Sequence, residues 1–409
     1  MHRDGLTVTR GERVFRLAYF VSHPIQYQAP LLRLIAQCED IDLEVFFHSD
    51  HSLDEHVDVE FGQAIRWDVP LTEGYKHRFL ASAGGGRPVA AGSVREQLER
   101  GRFDAVWLHG WGARLNRKVW RVARSLGMAV WMRGDTQLAC VRGAWWQRRL
   151  HHWLMSAHFR RLDHCLAAGT ANRLFYRAYG VPEEKITVMP YAVDNDFFQR
   201  RSAEAEAERD GMLERLGIER GRAVILFCGK LIEKKGLKTL IESMGCLNEE
   251  AGARAMGYKP PLLLVVGDGE LRDGLEAIAQ GVAPGCVKFL GFKNQSELPL
   301  YYALCDLFVI PSTYEPWGLV VNEVMNAARP IIASDVTGCV ADLVQEDVNG
   351  SIFKAGDADG LAASLRPWLM DADMRRRGGV ASLAMINRWG FKEDIVALRE
   401  VMAKQRAEW

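Results

Sequence analysis

Two doubly wound parallel α/β domains, each Rossmann-like and facing the other across a cleft, are the architecture this sequence predicts. Three observations predict it. Short apolar runs alternate with helical or loop stretches through the first half, a second series of the same kind starts at Ala223, and 409 residues exceed what one hydrophobic core usually organises. Ligands of such domains are expected at the carboxyl ends of the strands, in the cleft.

The elements follow in order. Met1 to Arg13 is polar and is expected to be disordered. Val14–Val21 reads as the first strand, Ala29–Cys38 as the helix after it and Leu43–His48 as the next strand, because apolar spacing changes from strand-like to helical and back. Ala105–Leu108, Ala129–Met132, Cys165–Ala168 and Ile186–Met189 continue the series. The charged stretch Arg200–Arg222 is expected to hold a short helix near the junction, which divides the chain into domains over 1–196 and 197–387. The second series runs AVILFCG, LLLVVG, VKFLGF, LFVIP and PIIAS.

Composition narrows the functional classes. The 48% hydrophobic and 25% charged fractions are those of a globular protein, and Lys+Arg and Asp+Glu both total 52, so overall charge selects no partner. Eight cysteines lie scattered, without a C-x-x-C pair or metal-ligand spacing, which reads as reduced buried thiols in a cytosolic protein. The apolar stretch from Val14 to Ile25 is broken by Arg16 and His23, so neither a membrane span nor a signal peptide is expected. The expected location is therefore the cytoplasmic side.

Chemistry concentrates between Pro311 and Ile332. Leu307–Ile310 suits a buried strand, Pro311–Pro316 is turn chemistry and Gly318–Ala328 is helical, so Glu315 lies before a helix start and Glu323 about a turn and a half inside it. The first N–H groups of such a helix suit an anion such as phosphate, and two flanking carboxylates suit hydroxyl or cationic partners, with sugar hydroxyls the obvious candidates. Upstream, Gly229-Lys230-Leu231 and Lys235-Gly236 form a glycine turn with two cations, which suits a diphosphate. Gly267-Asp268-Gly269 lacks the third glycine of a dinucleotide fingerprint, so NAD is not expected. Asp194-Asn195-Asp196 is a D-x-D, but Asp357-Ala358-Asp359, Asp371-Ala372-Asp373 and Asp40-Ile41-Asp42 match equally well, and no metal site is read from it.

The string P-S-x-x-E-P-W-G-L-x-x-x-E-x-M-x-x-x-x-P-I-I-A-S, from Pro311 to Ser334, resembles the E-x7-E signature of retaining glycosyltransferase family 4, whose members have the GT-B fold. G-K-L-x-x-x-K-G from Gly229 resembles the family's phosphate-binding turn, with Lys230 replacing the usual arginine. The resemblance covers most of the chain and departs from the family at Thr337–Asp342, where many relatives have a double glycine and a glutamate. It implies a metal-independent enzyme without a cofactor, moving a sugar from a nucleotide diphosphate to an acceptor hydroxyl. Glu323 would hold the ribose and Glu315 the donor sugar, while Lys235 and the N–H groups of Gly318, Leu319 and Val320 would meet the departing diphosphate. Gly229, Lys230, Gly267, Gly269 and Phe292 would line the nucleotide cleft. Ser22–Tyr27 resembles a cleft-facing loop of some members. His109 follows the strand Ala105–Leu108, and Arg133 and Asp135 follow the strand Ala129–Met132, near which many members place a histidine beside the reacting sugar. These three, with Lys235 and Glu315, form the expected catalytic set. Structural loop histidines remain the other reading of His23 and His109. The final segment from Arg388 would cross back to the first domain.

The acceptor would be a saccharide, a lipid-linked sugar or a small molecule, in bacterial polysaccharide or glycolipid assembly. A GT-B phosphorylase, a sugar-nucleotide epimerase and a natural-product glycosyltransferase share the architecture. From Gly101 to Leu162 twelve basic residues face two acidic ones, a net charge of +10, with Trp145, Trp146 and Trp153 among the later arginines. Two readings fit this segment: contact with an anionic membrane or lipid-linked acceptor at its inner face, or helices that bury tryptophan and solvate arginine. Nucleic acid is not expected, since no nucleic-acid fold accompanies the charge.

Overall fold

The computed structural model describes residues 13–58, 61–81, 92–253 and 259–408, so the polar amino-terminal stretch lies outside the described residues except for Arg13. Fifteen described strands follow in chain order: β1 (Phe15–Val21), β2 (Ile41–Phe47), β3 (His56–Asp58), β4 (Gln63–Ile65), β5 (Lys76–Phe79), β6 (Ala105–His109), β7 (Ala129–Gly134), β8 (His164–Ala167), β9 (Ile186–Val188), β10 (Val224–Cys228), β11 (Leu262–Val266), β12 (Val287–Phe289), β13 (Leu307–Ile310), β14 (Ile331–Ser334) and β15 (Gly350–Phe353).

Seven of them form the first sheet, in the order β5-β2-β1-β6-β7-β8-β9, and six the second, in the order β12-β11-β10-β13-β14-β15. Every pairing in both sheets is parallel. Central strands of parallel sheets are covered on both faces, which is why β1, β6, β10 and β11 read as nearly unbroken apolar runs. The strand order reverses between β1 and β6 in one domain and between β10 and β13 in the other, so the loops after these strands stand at the switch points where α/β sheets bind ligands.

The chain passes between domains at Pro190–Asp194. The helix Asn195–Glu206 then packs on the helix Leu298–Leu304 of the second domain, so the expected division after residue 196 falls in that helix's first turn. The side chain of Asp194 accepts from the Phe197 N–H at 2.9 Å, making the first aspartate of the D-x-D a helix cap. Two helices, Asn195–Glu206 and Arg209–Arg215, occupy the charged junction where one was expected. All eight cysteines are free. Among the described residues no helix is long and apolar enough to cross a membrane.

The helix Phe391–Ala407 returns to the first domain, where Ile395, Leu398, Val401 and Met402 join the core around Trp107 and Trp131. Polar ties reinforce it: Arg399 makes a two-pronged pair with Asp40, both contacts 2.8 Å, and the buried Arg133 pairs with the buried Asp394 at 3.2 Å. Trp317 of the second domain closes the junction. Its ring stacks on Trp389 with centroids 5.6 Å apart, meets Tyr191 edge-on and donates its indole N–H to Asn322 at 3.0 Å. Gly169, at the start of a first-domain helix, lets the indole lie against the backbone.

A Cβ on Gly169 would stand 2.5 Å from the Trp317 ring and 2.6 Å from the Asp342 carboxylate, and its backbone is extended, so the constraint is purely steric. Gly169→Ala is expected to destabilise the protein by about 1–3 kcal/mol through overpacking. Denaturant unfolding of both proteins checks this, and an unchanged midpoint would mean that the two domains separate there without cost.

Candidate active site

The carboxyl ends of the two sheets face one another, and side chains from each reach across. In the second domain, the loop after β10 and the loop after β11 pack backbone to backbone. A Cβ on Gly267, whose φ is +134°, would meet the Gly229 carbonyl oxygen at 1.9 Å. The glycines at these positions therefore answer first to close approach of two loops. Gly269 packs the same way on the backbone of Leu231. Gly229, Gly267, Phe292 and Glu323 line a pocket of about 120 Å³ that Gln26, Phe61 and Trp67 of the first domain cover.

Glu323 sits in that pocket. Burial pushes its carboxyl up to about 7, while the Tyr302 hydroxyl, which donates to Oε2, acts the other way. Glu315 is buried at the adjoining end of the cleft, where it accepts from Lys235 Nζ and from Ser312 Oγ at 3.1 Å. Its backbone carbonyl accepts from Gln137 of the first domain at 2.8 Å. Between the two carboxylates Gly318 adopts φ +98°, a left-handed turn that lets the helix Leu319–Met325 start immediately after Trp317. The first N–H groups of that helix, those of Leu319 and Val320, have no carbonyl within the helix to meet.

Both expected phosphate cations already hold a carboxylate. Lys235 pairs with Glu315, and Lys230 lies 3.1 Å from each oxygen of Asp58 and 4.8 Å above the ring of Phe61. Asp58 and Phe61 belong to the antiparallel hairpin β3–β4, which reaches from the first domain to the pocket that holds Glu323. Phe61 meets Phe292 edge-on at 5.0 Å, and beyond the hairpin the Arg66 carbonyl accepts from Asn294 at 2.7 Å. Sequence reasoning missed this hairpin. The available signal was slight: Val57, Val59 and Phe61 alternate with polar residues ahead of Gly62, but the adjacent Ala64 and Ile65 break the pattern after it.

On the first-domain wall, Asp135 is half-buried and its carboxyl is raised, by burial first and by the nearby Glu315 carboxylate. Asp135 and Glu315 are thus close enough for their charges to oppose one another. His109 rests against Gln28, with its Nε2 3.0 Å from the amide nitrogen, and burial beside Arg133 lowers it to about 3. It is neutral at physiological pH and cannot serve as an imidazolium acid. Arg133 requires a correction. It is buried, donates to the carbonyls of Met189 and Pro190 and pairs with Asp394, so it fastens the carboxy-terminal helix and is not available to a reacting group. His23 stands at the cleft mouth against His51, ring centroids 4.4 Å apart. Asp342, in the segment that departs from the expected pattern, caps the first-domain helix Thr170–Ala178 by accepting from the Thr170 N–H at 2.9 Å and hydroxyl at 2.6 Å.

Comparison with known proteins accords with this geometry. The family Glycosyl transferases group 1 matches residues 208–381, and Glycosyl transferase 4-like domain matches residues 27–192. Both halves of the chain thus carry a glycosyl transferase domain. It is 30% identical over 234 residues to an uncharacterised glycosyltransferase of Methanocaldococcus jannaschii, covering 56% of this chain and 52% of that protein. It is 31% identical over 195 residues to the amylovoran biosynthesis glycosyltransferase AmsK of Erwinia amylovora, covering 46% and 43%. The chain thus spans about half the length of the curated relatives it matches. Solved structures extend the likeness to the whole fold. Sucrose-phosphate synthase of Thermosynechococcus elongatus superposes with a TM-score of 0.70 at 18% identity, covering 97% of this chain and 100% of that one. Anabaena HepE in complex with UDP gives 0.69 at 17% identity, covering 95% and 100%. The two facing parallel-sheet domains of this chain are the GT-B fold.

The pocket beneath the hairpin is smaller than the roughly 300–1,000 Å³ usual for small-molecule sites, and a ligand of nucleotide size would have to displace Phe61 and Asp58 to enter. Asp58→Asn removes the carboxylate that competes for Lys230. It is expected to tighten binding of a nucleoside diphosphate by about threefold to tenfold, since a partly buried charged contact contributes about 1 kcal/mol or somewhat more. Calorimetric titration with UDP, GDP and ADP checks the direction, and weaker binding would assign Asp58 to holding the ligand itself.

Proposed function

We propose that this chain is a retaining glycosyltransferase that moves a sugar from a nucleotide diphosphate sugar to an acceptor hydroxyl, in polysaccharide or glycolipid assembly. The observation that carries the proposal is the cleft floor of the second domain. There Glu323 in its pocket, the glycine turn with Lys230 and Lys235, the start of the helix Leu319–Met325 and Glu315 are gathered at the carboxyl end of the second sheet, which supports Glu323 for the ribose, the cations and helix N–H groups for the diphosphate, and Glu315 for the sugar. HepE, a structural neighbour, has been solved with UDP and with UDP-glucose, which supports a nucleotide-sugar donor. AmsK, named for amylovoran biosynthesis, supports a saccharide-building role.

In this reading Glu323 accepts hydrogen bonds from the ribose hydroxyls and Phe292 lies beside the base. The donor diphosphate takes Lys230 from Asp58 and shares Lys235 with Glu315, which leaves Glu315 beside the sugar hydroxyls. As the bond from the anomeric carbon to phosphate oxygen stretches, negative charge grows on the diphosphate. Lys235 and the Leu319 and Val320 N–H groups then bind the transition state more tightly than the ground state. The acceptor oxygen attacks from the departing side, and its proton passes to the leaving-phosphate oxygen, so configuration is retained. Asp135, near Glu315, is a second carboxylate within reach of the acceptor side. Basic side chains and helix N–H groups carry the charge a cation would otherwise meet, and the enzyme is therefore proposed to be metal-independent.

Three measurements test the proposal. Glu323→Gln forfeits about 1.5–3 kcal/mol of donor binding by replacing a charged acceptor. The ionised form of Glu323 binds ribose best, so donor affinity should fall by about tenfold as pH drops from 8 to 6 through the value near 7, and this dependence should vanish in the variant. A flat profile in the parent enzyme would remove Glu323 from the ribose site. Lys235→Ala should lower kcat at saturating donor by at least about tenfold, each decade being about 1.4 kcal/mol. If only the donor KM rises, the lysine binds without stabilising the transition state. Full activity in excess EDTA is expected, with the product analysed in the presence and absence of acceptor to separate transfer from phosphorolysis and epimerisation.

A further inference from the structure

The helix Trp145–Phe159 is built the wrong way round for a helix that serves only its own core. Its carboxy-terminal end is anchored: Phe159 and Ser156 are buried, and His151 lies 3.1 Å from the Tyr179 hydroxyl. Every residue from Arg142 to Leu154 is exposed. Trp146, Leu150, Trp153 and Leu154 follow one another at i, i+4, i+7 and i+8, the spacing of a single apolar face, and with Trp145 they are between 45% and 69% exposed. A helix of a globular protein ordinarily turns such a face inward. Here it is presented to solvent.

Charge identifies the occupant. Between Asp135 and Asp163 the chain has no acidic residue, while Arg142, Arg148, Arg149, Arg160 and Arg161 lie along or beside the helix. Tryptophan and leucine flanked by arginine match a bilayer surface, where indoles sit at the headgroup level and guanidinium groups meet anionic lipid. A protein partner that covered this face would have to neutralise five arginines. The position is functional as well. Arg142, just ahead of the helix, donates to the Thr313 carbonyl at 3.3 Å and lies 4.8 Å over the ring of Tyr314, next to Glu315. The helix therefore starts three residues after a contact with the loop that carries Glu315.

We infer that the helix Trp145–Phe159 is a membrane-docking element that seats the cleft mouth on an anionic bilayer. This goes beyond the transfer reaction and can be measured without donor or acceptor.

The test is cosedimentation at low salt with vesicles of phosphatidylglycerol and phosphatidylcholine, or of phosphatidylcholine alone. Wild-type protein should pellet with the anionic vesicles and be released by about 0.5 M salt, as screening shortens the reach of the arginines. The triple variant Trp146→Ser, Leu150→Ser, Trp153→Ser should lose at least about tenfold in bound-to-free ratio. Arg148→Gln with Arg149→Gln should lose about tenfold or more, since each basic residue contributes about fivefold near an anionic leaflet. Unfolding midpoints are compared first, and if the triple variant fails to fold, the double arginine variant decides. Wild-type protein that stays in solution with anionic vesicles at low salt overturns the proposal. So does a dimer by light scattering that the triple variant dissociates, because the face would then belong to a second copy of the chain.

Discussion

The packing of Trp317 is the interaction on which the rest of this molecule depends. The residue sits in the tight loop between Glu315 and Gly318, and its indole is buried against Gly169, Tyr191 and Trp389, drawn from the first domain, the crossover and the approach to the last helix. An aromatic side chain of this size supplies a large buried area and a polar handle, here satisfied by Asn322, whose own amide donates to the Tyr191 carbonyl at 2.9 Å. Positions of Glu315, Gly318 and the helix start are therefore set by an anchor that does not take part in the chemistry. The same anchor joins the domains, so the geometry of the cleft and its electrostatics are not independent variables.

Those electrostatics rest on substitution of one anion for another. Lys230 and Lys235 each hold a carboxylate at the place where a diphosphate would bring its oxygens. Partly buried cations left without a counter-charge would be costly, and the carboxylates keep the cleft neutral until a ligand with more charge arrives. The cost falls on specificity as much as affinity. In the proposed reaction a diphosphate displaces the carboxylates, for which a neutral sugar or a bare nucleoside lacks the charge. Asp58 adds a geometric condition, since it is carried on a hairpin that also holds Phe61 over Phe292.

Parallel sheets are legible in sequence because strands covered on both faces are apolar throughout, and β1, β10, β11, β13 and β14 could be read on that ground alone. The Glu315–Glu323 segment was legible because turn chemistry, a glycine and helix spacing occur in one short string. The roles of His109 and Arg133 were not. Both follow strands at the correct edge of the sheet, but whether a side chain turns toward a cleft or into a junction depends on partners nearly 60 to more than 260 residues away, such as Pro190 and Asp394 for Arg133. The hairpin β3–β4 escaped notice because two strands of three residues carry little periodic signal. Tryptophans of the basic segment divide between both readings of that segment. Trp131 is core, while Trp145, Trp146 and Trp153 are exposed.

The return of the helix Phe391–Ala407 has a consequence for the order in which the molecule is made. The first domain is discontinuous in the chain: its core around Trp107 and Trp131 is completed by residues that leave the ribosome only after the whole second domain. Until then Arg133 has the carbonyls of Met189 and Pro190 but not the carboxylate of Asp394, and a buried cation without its counter-charge opposes tight packing. Vectorial synthesis, in which amino-terminal domains ordinarily fold first, is therefore inverted here: the second domain can complete its core while the first still waits for its last helix. A nascent chain halted before residue 391 would carry one finished domain and one open apolar face, the form that chaperones and proteases recognise.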